Sequence, residues 1–243
     1  MRNLLKFAVA ASLAFLSTPA FAASFLVTYE AAGVTNSTAG FDYFGIETFD
    51  DKIGQTHFAS EFNHDGVAIK LEYSDVVVVP ADQYGGAGGS DYGVVGLNSP
   101  NRSYTIDITT NSGDGINYFG YWLSALDGQN FVSFWKDGVE VFSFSPSDVL
   151  ALLAGKPEYW GHPTTGENSK EPYVFLNFFY EGGTFDRVVF TQGPGTAGYE
   201  SDNHTLGFYN RTSGTPIPEP AAIALLGTGL LGVAALRRAA RGA

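Results

Sequence analysis

Short runs of β-branched and aromatic residues alternate with turn-forming residues along most of the chain. The runs are rich in Val, Ile, Phe and Tyr, whereas Gly, Asn, Asp and Pro separate them. Nine of them are predicted strands: Ser24–Ala31, Phe41–Phe49, Val67–Val79, Ser103–Thr109, Asn117–Ser124, Phe131–Lys136, Val139–Phe144, Tyr173–Tyr180 and Phe185–Thr191. This succession, with little helical pattern in between, predicts an all-β fold: an antiparallel β-sandwich of jelly-roll-like topology.

Three local features complete this pattern. Asp137-Gly138 separates two of the runs, and both residues tolerate the positive φ angles of a type I′ turn, so a hairpin is predicted. One short helix is predicted from Ser145 to Gly155, with Pro146 in its first turn. Two long segments, 83–96 and 155–172, are predicted loops, which carry binding residues more often than strands do.

The N-terminus has the three parts of a secretory signal peptide. Arg2 and Lys6 precede an apolar stretch, and Ala20 and Ala22 then form a small-x-small cleavage site. Signal peptidase is therefore an expected partner, and the mature protein is predicted to start at residue 23.

The C-terminus has the features of a weak membrane anchor. No charge occurs from Pro220 to Leu236, a stretch that would span ~25 Å as a helix, slightly less than the hydrocarbon core of a bilayer. Arg237 and Arg238 follow and would hold the end of the protein on the cytoplasmic side. A transient inner-membrane helix is predicted, with the folded domain outside.

Pro218-Glu219-Pro220 lies directly before this apolar stretch. Prolines on both sides of Glu219 favour an extended backbone, the shape that a protease cleft accepts. The preceding residues, 212–217, are predicted to be a flexible linker that gives access to the triplet.

The sequence "PIPEPAAIALLGTGLLGVAALRRAAR" resembles a PEP-CTERM sorting signal, because the triplet, the apolar helix and the basic cluster follow in order. The resemblance implies processing by exosortase, a membrane protease-transferase of Gram-negative bacteria. The predicted division of the protein is a signal peptide (1–22), a β-sandwich surface domain (23–211), a linker (212–217) and the sorting signal (218–243).

The folded part also resembles a family of exosortase-dependent surface proteins. The motifs concerned are "ADQYGGAGGSDYGVV", "NYFGYWLSALDGQN", "EPYVFLNFF", "FDRVVFTQ" and "YESDNHTLG". What the resemblance implies is a non-enzymatic protein of the cell surface or extracellular matrix, associated with exopolysaccharide and biofilm. It supplies no catalytic residues.

Charge and cysteine content exclude several classes of function. The whole protein has a net charge of −12. Without residues 1–22 (two basic) and 219–243 (three basic, one acidic), 8 Lys and Arg remain against 24 Asp and Glu, a net charge of −16. Such a surface repels nucleic acid. The absence of Cys excludes thiol nucleophiles and thiolate metal sites.

Calcium is the one cofactor that the residues suggest, since an exported acidic domain meets this ion and calcium prefers oxygen ligands. Glu200, Asp202 and Asn203 lie close together in the sequence, and Glu47 or Asp50 are the expected partners from the first strands. The alternative is that Asp202 and Asn203 make turn hydrogen bonds.

A carbohydrate-binding module for the producer's exopolysaccharide is the alternative function. Trp160 and Tyr159 are the candidate stacking residues, because they lie in a predicted loop rather than in a strand. A polysaccharide hydrolase is the third possibility, since a pair of carboxylates at catalytic separation cannot be recognised from the sequence.

Overall fold

A computed structural model describes residues 23–96, 99–195 and 197–218 of the protein. The strands are β1 (Ser24–Tyr29), β2 (Gly40–Glu47), β3 (His57–His64), β4 (Val67–Ser74), β5 (Val77–Val79), β6 (Tyr92–Gly96), β7 (Ser103–Thr110), β8 (Tyr118–Ser124), β9 (Asn130–Lys136), β10 (Val139–Phe144), β11 (Val174–Glu181), β12 (Arg187–Gln192), β13 (Gly198–Arg211) and β14 (Thr215–Pro216). One α-helix, α1, spans Ser147–Leu153.

The strands form two antiparallel sheets that pack face to face, which confirms the predicted β-sandwich. The larger sheet has eight strands in the order β14-β1-β11-β8-β13-β6-β5, and β2 pairs with the second half of β13. The smaller sheet has six strands in the order β10-β9-β12-β7-β4-β3. The hairpin β9–β10 is also confirmed, with positive φ angles at both Asp137 and Gly138.

The core lies between the sheets and is largely aromatic. Strand β7 alternates as expected for one buried face, with Tyr104, Ile106 and Ile108 turned inward. Strand β8, in contrast, is buried on both faces over its whole length, because loops cover the outer face of the larger sheet. This covering creates a second layer of packed residues outside the sandwich.

The longest strand, β13, is not among the predicted strands. Its sequence is polar, yet Ser201, Asp202 and His204 are fully buried. The strand has a register irregularity between Asp202 and Thr205, and Asn203 adopts a positive φ of 47° there. Because of this bulge, the side chain of His204 points into the core, whereas that of Asp202 lies on the outer face of the sheet.

The segment 212–217 is not the flexible linker that its composition predicts. Thr215 and Pro216 form β14, which pairs with β1, and the Ile217 side chain is only 7% exposed. Burial of Ile217 and the main-chain pairing with β1 fix the segment on the sandwich.

Among the described residues, no helix is long and apolar enough to cross a membrane. The predicted signal peptide with Ala20 and Ala22 lies outside the described residues, as do Glu219, Pro220, Arg237 and Arg238 of the predicted sorting signal.

Candidate functional site

The two long loops meet on the outer face of the larger sheet. The hydroxyl of Tyr173 donates a hydrogen bond to the carbonyl oxygen of Gln83 at 2.6 Å, so the end of one loop holds the start of the other. Beneath them lies a small apolar cluster: Ala87, Trp122, Ala125, Tyr173 and Phe175. The loops are therefore packed on this face rather than free in solvent.

Asp202 anchors the glycine-rich loop from below. One carboxylate oxygen accepts hydrogen bonds from the main-chain N–H of Ala87 at 2.7 Å and from Ser90 Oγ at 2.5 Å. The other oxygen accepts one from the N–H of Asn203 at 2.6 Å. Burial nevertheless raises the Asp202 pKa to about 7, and these hydrogen bonds oppose that rise.

A cleft of about 350 Å³ opens beside these loops, and we call it the acidic cleft. Its walls come from both long loops, from the turn after β8 and from the beginning of β13. The lining residues are Asp82, Tyr84, Tyr92, Ala125, Asp127, Glu171, Ala197, Gly198 and Glu200. The volume falls within the range of small-molecule pockets.

Glu200 is a carboxylic acid of the acidic cleft whose pKa is strongly raised. Burial is the main cause and the nearby carboxyl groups of Glu171, Asp127 and Asp82 add to it, and together they raise its pKa to about 8. Its carboxyl group occupies the space that a Cβ atom would need at Gly198. Glu200 is thus largely protonated at neutral pH and can donate a hydrogen bond as well as accept one.

Ser124 lies directly opposite Glu200 in the pairing of β8 with β13, so both side chains are on the outer face of the sheet. Ser124 is fully buried, and its Oγ has no hydrogen-bond partner among the described residues. A buried hydroxyl without a partner is unfavourable. Ser124 lies below the surface and is not among the residues that line the acidic cleft.

Tyr84 forms the rim of the acidic cleft and is 44% exposed. Asp82 fixes the backbone around it, because one carboxylate oxygen accepts hydrogen bonds from the N–H groups of Tyr84 and Gly85. The same oxygen accepts a hydrogen bond from the hydroxyl of Tyr92 at 3.1 Å. An aromatic ring on a backbone held in this way can stack on the flat face of a ligand with little loss of entropy.

The chemistry of the acidic cleft follows from this set of residues. Of the described residues that line it, four are carboxylic acids and none is basic. The cleft therefore disfavours anions and offers hydrogen-bond acceptors to hydroxyl or ammonium groups. Of the predicted site residues only Glu200 lies here; Asp82, Tyr84, Asp127 and Glu171 were missed, because only the fold brings them together.

The structure does not gather the five predicted calcium ligands into one group. Both carboxylate oxygens of Glu47 accept hydrogen bonds, from the N–H of Phe49 at 2.7 Å and from the hydroxyl of Ser60. Asp50 is exposed and accepts hydrogen bonds from Thr48 and Asp91.

Asn203 donates its side-chain amide to the carbonyl oxygen of Thr35 at 2.9 Å. Within the part of the protein that the structure describes, no group of three or more acidic or histidine side chains could hold a metal ion. Calcium binding itself stays a prediction. If the protein holds calcium, EDTA will lower its melting temperature, and an unchanged value contradicts the prediction.

Tyr159 and Trp160 do not form an exposed stacking platform. Tyr159 is 7% exposed, and its hydroxyl donates a hydrogen bond to the carbonyl oxygen of Glu30 at 2.9 Å. The indole N–H of Trp160 donates to the carbonyl oxygen of Leu153 at 2.9 Å, and the ring packs against the core. The expectation that Tyr159 is exposed in a loop is therefore wrong. Trp160 is half-buried, and its role as a ligand residue stays a prediction.

A second, more open groove lies between the edge strands β2 and β3. It measures about 530 Å³, and its lining includes Phe44, Phe62 and His64. Phe44 is 46% exposed. Besides these aromatic rings, the groove is lined by two carboxylic acids, Asp42 and Glu61.

Comparison with known proteins identifies the C-terminus. Residues 216–239 match the PEP-CTERM protein-sorting motif, so the protein bears this signal, as the sequence predicts. The motif implies an exported protein that has a C-terminal sorting anchor and is processed by exosortase. None of the curated proteins compared with the sequence matches it.

Two solved structures show distant similarity. The K2 cleaved adhesin domain of Lys-gingipain is 15% identical with a TM-score of 0.40, and the match covers 68% of this protein and 99% of that domain. The enzymatically active domain of bacteriophage CBA120 tailspike protein 4 is 13% identical with a TM-score of 0.32, and the match covers 66% of this protein and 20% of that one. Both similarities are too distant to support an argument about function.

Proposed function

We propose that the protein is an exported, non-enzymatic protein of the cell surface or extracellular matrix that binds the producer's exopolysaccharide, and so contributes to biofilm, through the acidic cleft. Export and exosortase processing follow from the sorting motif at residues 216–239. Binding is the part that the geometry of the folded domain supports.

The observation that carries this proposal is the position of Tyr84 beside hydrogen-bonding carboxyl groups. Recognition of a sugar ring needs a flat apolar surface for its face and polar groups for its hydroxyls. Tyr84 supplies an exposed ring at the rim, and the carboxyl groups of Asp127 and Glu200 supply acceptors in the same cleft. The unpartnered hydroxyl of Ser124 lies on the same face of the sheet as Glu200.

The charge of the cleft restricts the ligand. The cleft has four carboxylic acids, of which Glu200 is largely protonated at neutral pH, and no basic residue among its described lining residues, so it repels polymers rich in uronate, sulfate or phosphate. Neutral sugars, or sugars that carry an amine, fit this surface. The net negative charge of the folded part also repels anionic polymers, and it does so at longer range.

Calorimetric titration of the processed protein with the producer's exopolysaccharide tests the proposal. Wild-type protein should bind saturably, and Tyr84→Ala and Asp127→Asn should each weaken binding by about tenfold. Phe131→Ala is the matched control, because Phe131 is also 44% exposed but lies on the smaller sheet. No binding by the wild type, or equal losses in Tyr84→Ala and Phe131→Ala, contradicts the proposal.

A hydrolase is the second candidate, and Glu200 is the observation that favours it. A carboxylic acid that is protonated at neutral pH, with other carboxylates in the same cleft, has the composition of a glycosidase site. This candidate predicts that polymer length falls during incubation and that Glu200→Gln abolishes the fall. A constant polymer length supports the binding function.

A further inference from the structure

The beginning of the sorting signal is part of the folded domain. The N–H of Ile217 donates a hydrogen bond to the carbonyl oxygen of Val27 in β1 at 2.9 Å, and the side chain of Ile217 is buried at the edge of the core. The matched sorting motif starts at residue 216. The first two residues of the motif, Pro216 and Ile217, are therefore also residues of the sandwich.

The backbone just before these residues is held as well. The hydroxyl of Thr28 donates a hydrogen bond to the carbonyl oxygen of Ser213 at 2.7 Å, and the hydroxyl of Ser213 donates to Glu30 at 2.7 Å. Gly214 has a φ of +77°, and a Cβ atom there would lie 2.6 Å from Thr28 Oγ1 and 2.8 Å from the carbonyl oxygen of Tyr29. Only glycine fits this turn into β14 without displacing β1.

This arrangement conflicts with the needs of a protease. A protease cleft binds its substrate as an extended, unpaired segment, whereas residues 215–217 are paired with β1 on one side. Cleavage within this segment would first require that β14 separates from the sandwich and that Ile217 becomes exposed to water. Only Glu219 lies between Pro218 and the start of the uncharged stretch at Pro220.

We propose that exosortase cleaves on the C-terminal side of Pro218, and that the processed protein keeps β14 and Ile217 docked on β1. In this step a peptide C–N bond breaks, and the acyl group passes to water or to a hydroxyl or amine of an acceptor. The departing membrane segment takes the proton on its new amine. The sandwich thereby sets the N-terminal limit of the cut.

The C-terminus of the processed protein tests this proposal directly. The full-length protein is expressed with exosortase, and the C-terminal peptide of the product is identified by mass spectrometry. The proposal predicts that this peptide contains Ile217 and Pro218. A product that ends at or before Ile217 overturns it.

Two variants separate docking from motif recognition. Gly214→Ala lies outside the matched motif and should release β14, whereas Gly113→Ala is its control, since Gly113 also has a positive φ but no atom within 4 Å of an added Cβ. In limited digestion of the full-length protein with a non-specific protease, Gly214→Ala should increase the rate of cleavage within residues 212–217 about tenfold.

Ile217→Asp should have the same effect, with Ile53→Asp as control because Ile53 is 57% exposed. Hydrogen exchange gives a readout on the unaltered protein, where the amide of Ile217 should be protected because it pairs with Val27. Fast exchange at Ile217 in the wild type, or equal digestion of the two glycine variants, overturns the proposal.

Discussion

The hydroxyl of Tyr173 and the carbonyl oxygen of Gln83 are joined by a 2.6 Å hydrogen bond across 90 positions of the sequence. This bond connects the two longest loops and sets one wall of the acidic cleft. Tyr173 also accepts a hydrogen bond from the side-chain amide of Asn168 at 2.8 Å. A loop arrangement held by specific bonds is pre-organised for a ligand.

Tyr173→Phe should loosen this arrangement without unfolding the sandwich. The loss of the two partly buried hydrogen bonds of this hydroxyl should lower the free energy of unfolding by about 1–2 kcal/mol and speed hydrogen exchange in residues 83–90. Tyr84→Phe is the control, because Tyr84 is exposed at the rim. Chemical denaturation of both variants measures the difference, and equal stability of the two would show that the loops do not depend on this bond.

The free energy of unfolding should fall as the pH rises, because Glu200 then ionises in a site that disfavours its charge. Its pKa is about 8 in the folded protein and near its ordinary value of 4.5 in the unfolded state, so the folded state binds more protons between these values. The stabilisation is complete below pH 4.5 and is lost as the pH rises through 8.

Glu200→Gln removes this dependence. Measured as the difference from wild type, the free energy of unfolding of the variant should increase by about 4 kcal/mol between pH 5 and pH 9. The difference cancels the contribution of Asp202, which has the same sign. A difference that does not vary with pH would contradict the protonated state of Glu200.

His204 should have the opposite effect at low pH. It is fully buried among aromatic rings, and burial lowers its pKa to about 3. Because the unfolded state binds the proton near pH 6.5, the stability contributed by neutral His204 is lost as the pH falls from 6.5 to 3.

His204→Phe should weaken that acid sensitivity. At pH 7 the variant should lose about 1–3 kcal/mol, because His204 Nδ1 no longer pairs with the hydroxyl of Tyr73 at 3.0 Å. The gap between variant and wild type should narrow at pH 4 in urea denaturation. A gap that widens at pH 4 would contradict this interpretation.

Gly198→Ala should disturb the acidic cleft at its floor. An added Cβ would collide with the carboxyl group of Glu200, whereas Gly128→Ala meets no atom within 4 Å and is the matched control. Affinity for the exopolysaccharide should fall about tenfold in the first variant only. Calorimetry of both variants decides this, and equal affinities would place the ligand elsewhere.

The sequence predicts strands where one face of a run is apolar, but it misses β13, where the buried residues are polar, and β6, which lies in the glycine-rich segment predicted to be a loop. Strand β7 alternates and is predicted, whereas β13 carries Glu200, Asp202 and His204 and resembles a surface loop in its composition. Asp202 and His204 can be buried because residues far away in the sequence satisfy them: Ala87 and Ser90 donate to Asp202, and the hydroxyl of Tyr73 pairs with His204.

The candidate site shows the same limit. The sequence indicates the two long loops and Glu200, but the partners of Glu200 come from separate turns. Asp127 follows β8 and Glu171 precedes β11, and only the sheet order brings both beside β13. Likewise, the composition of residues 212–217 is that of a linker, and nothing in it shows that Ile217 finds an apolar site on β1.

Amide chemical-shift mapping during titration with the exopolysaccharide tests the proposed function most directly. The largest shifts are predicted at Tyr84, Asp127 and Glu200, which surround the acidic cleft. Shifts that instead centre on Phe44 and Phe62 in the groove between β2 and β3, or no shifts at all, would contradict binding in the acidic cleft.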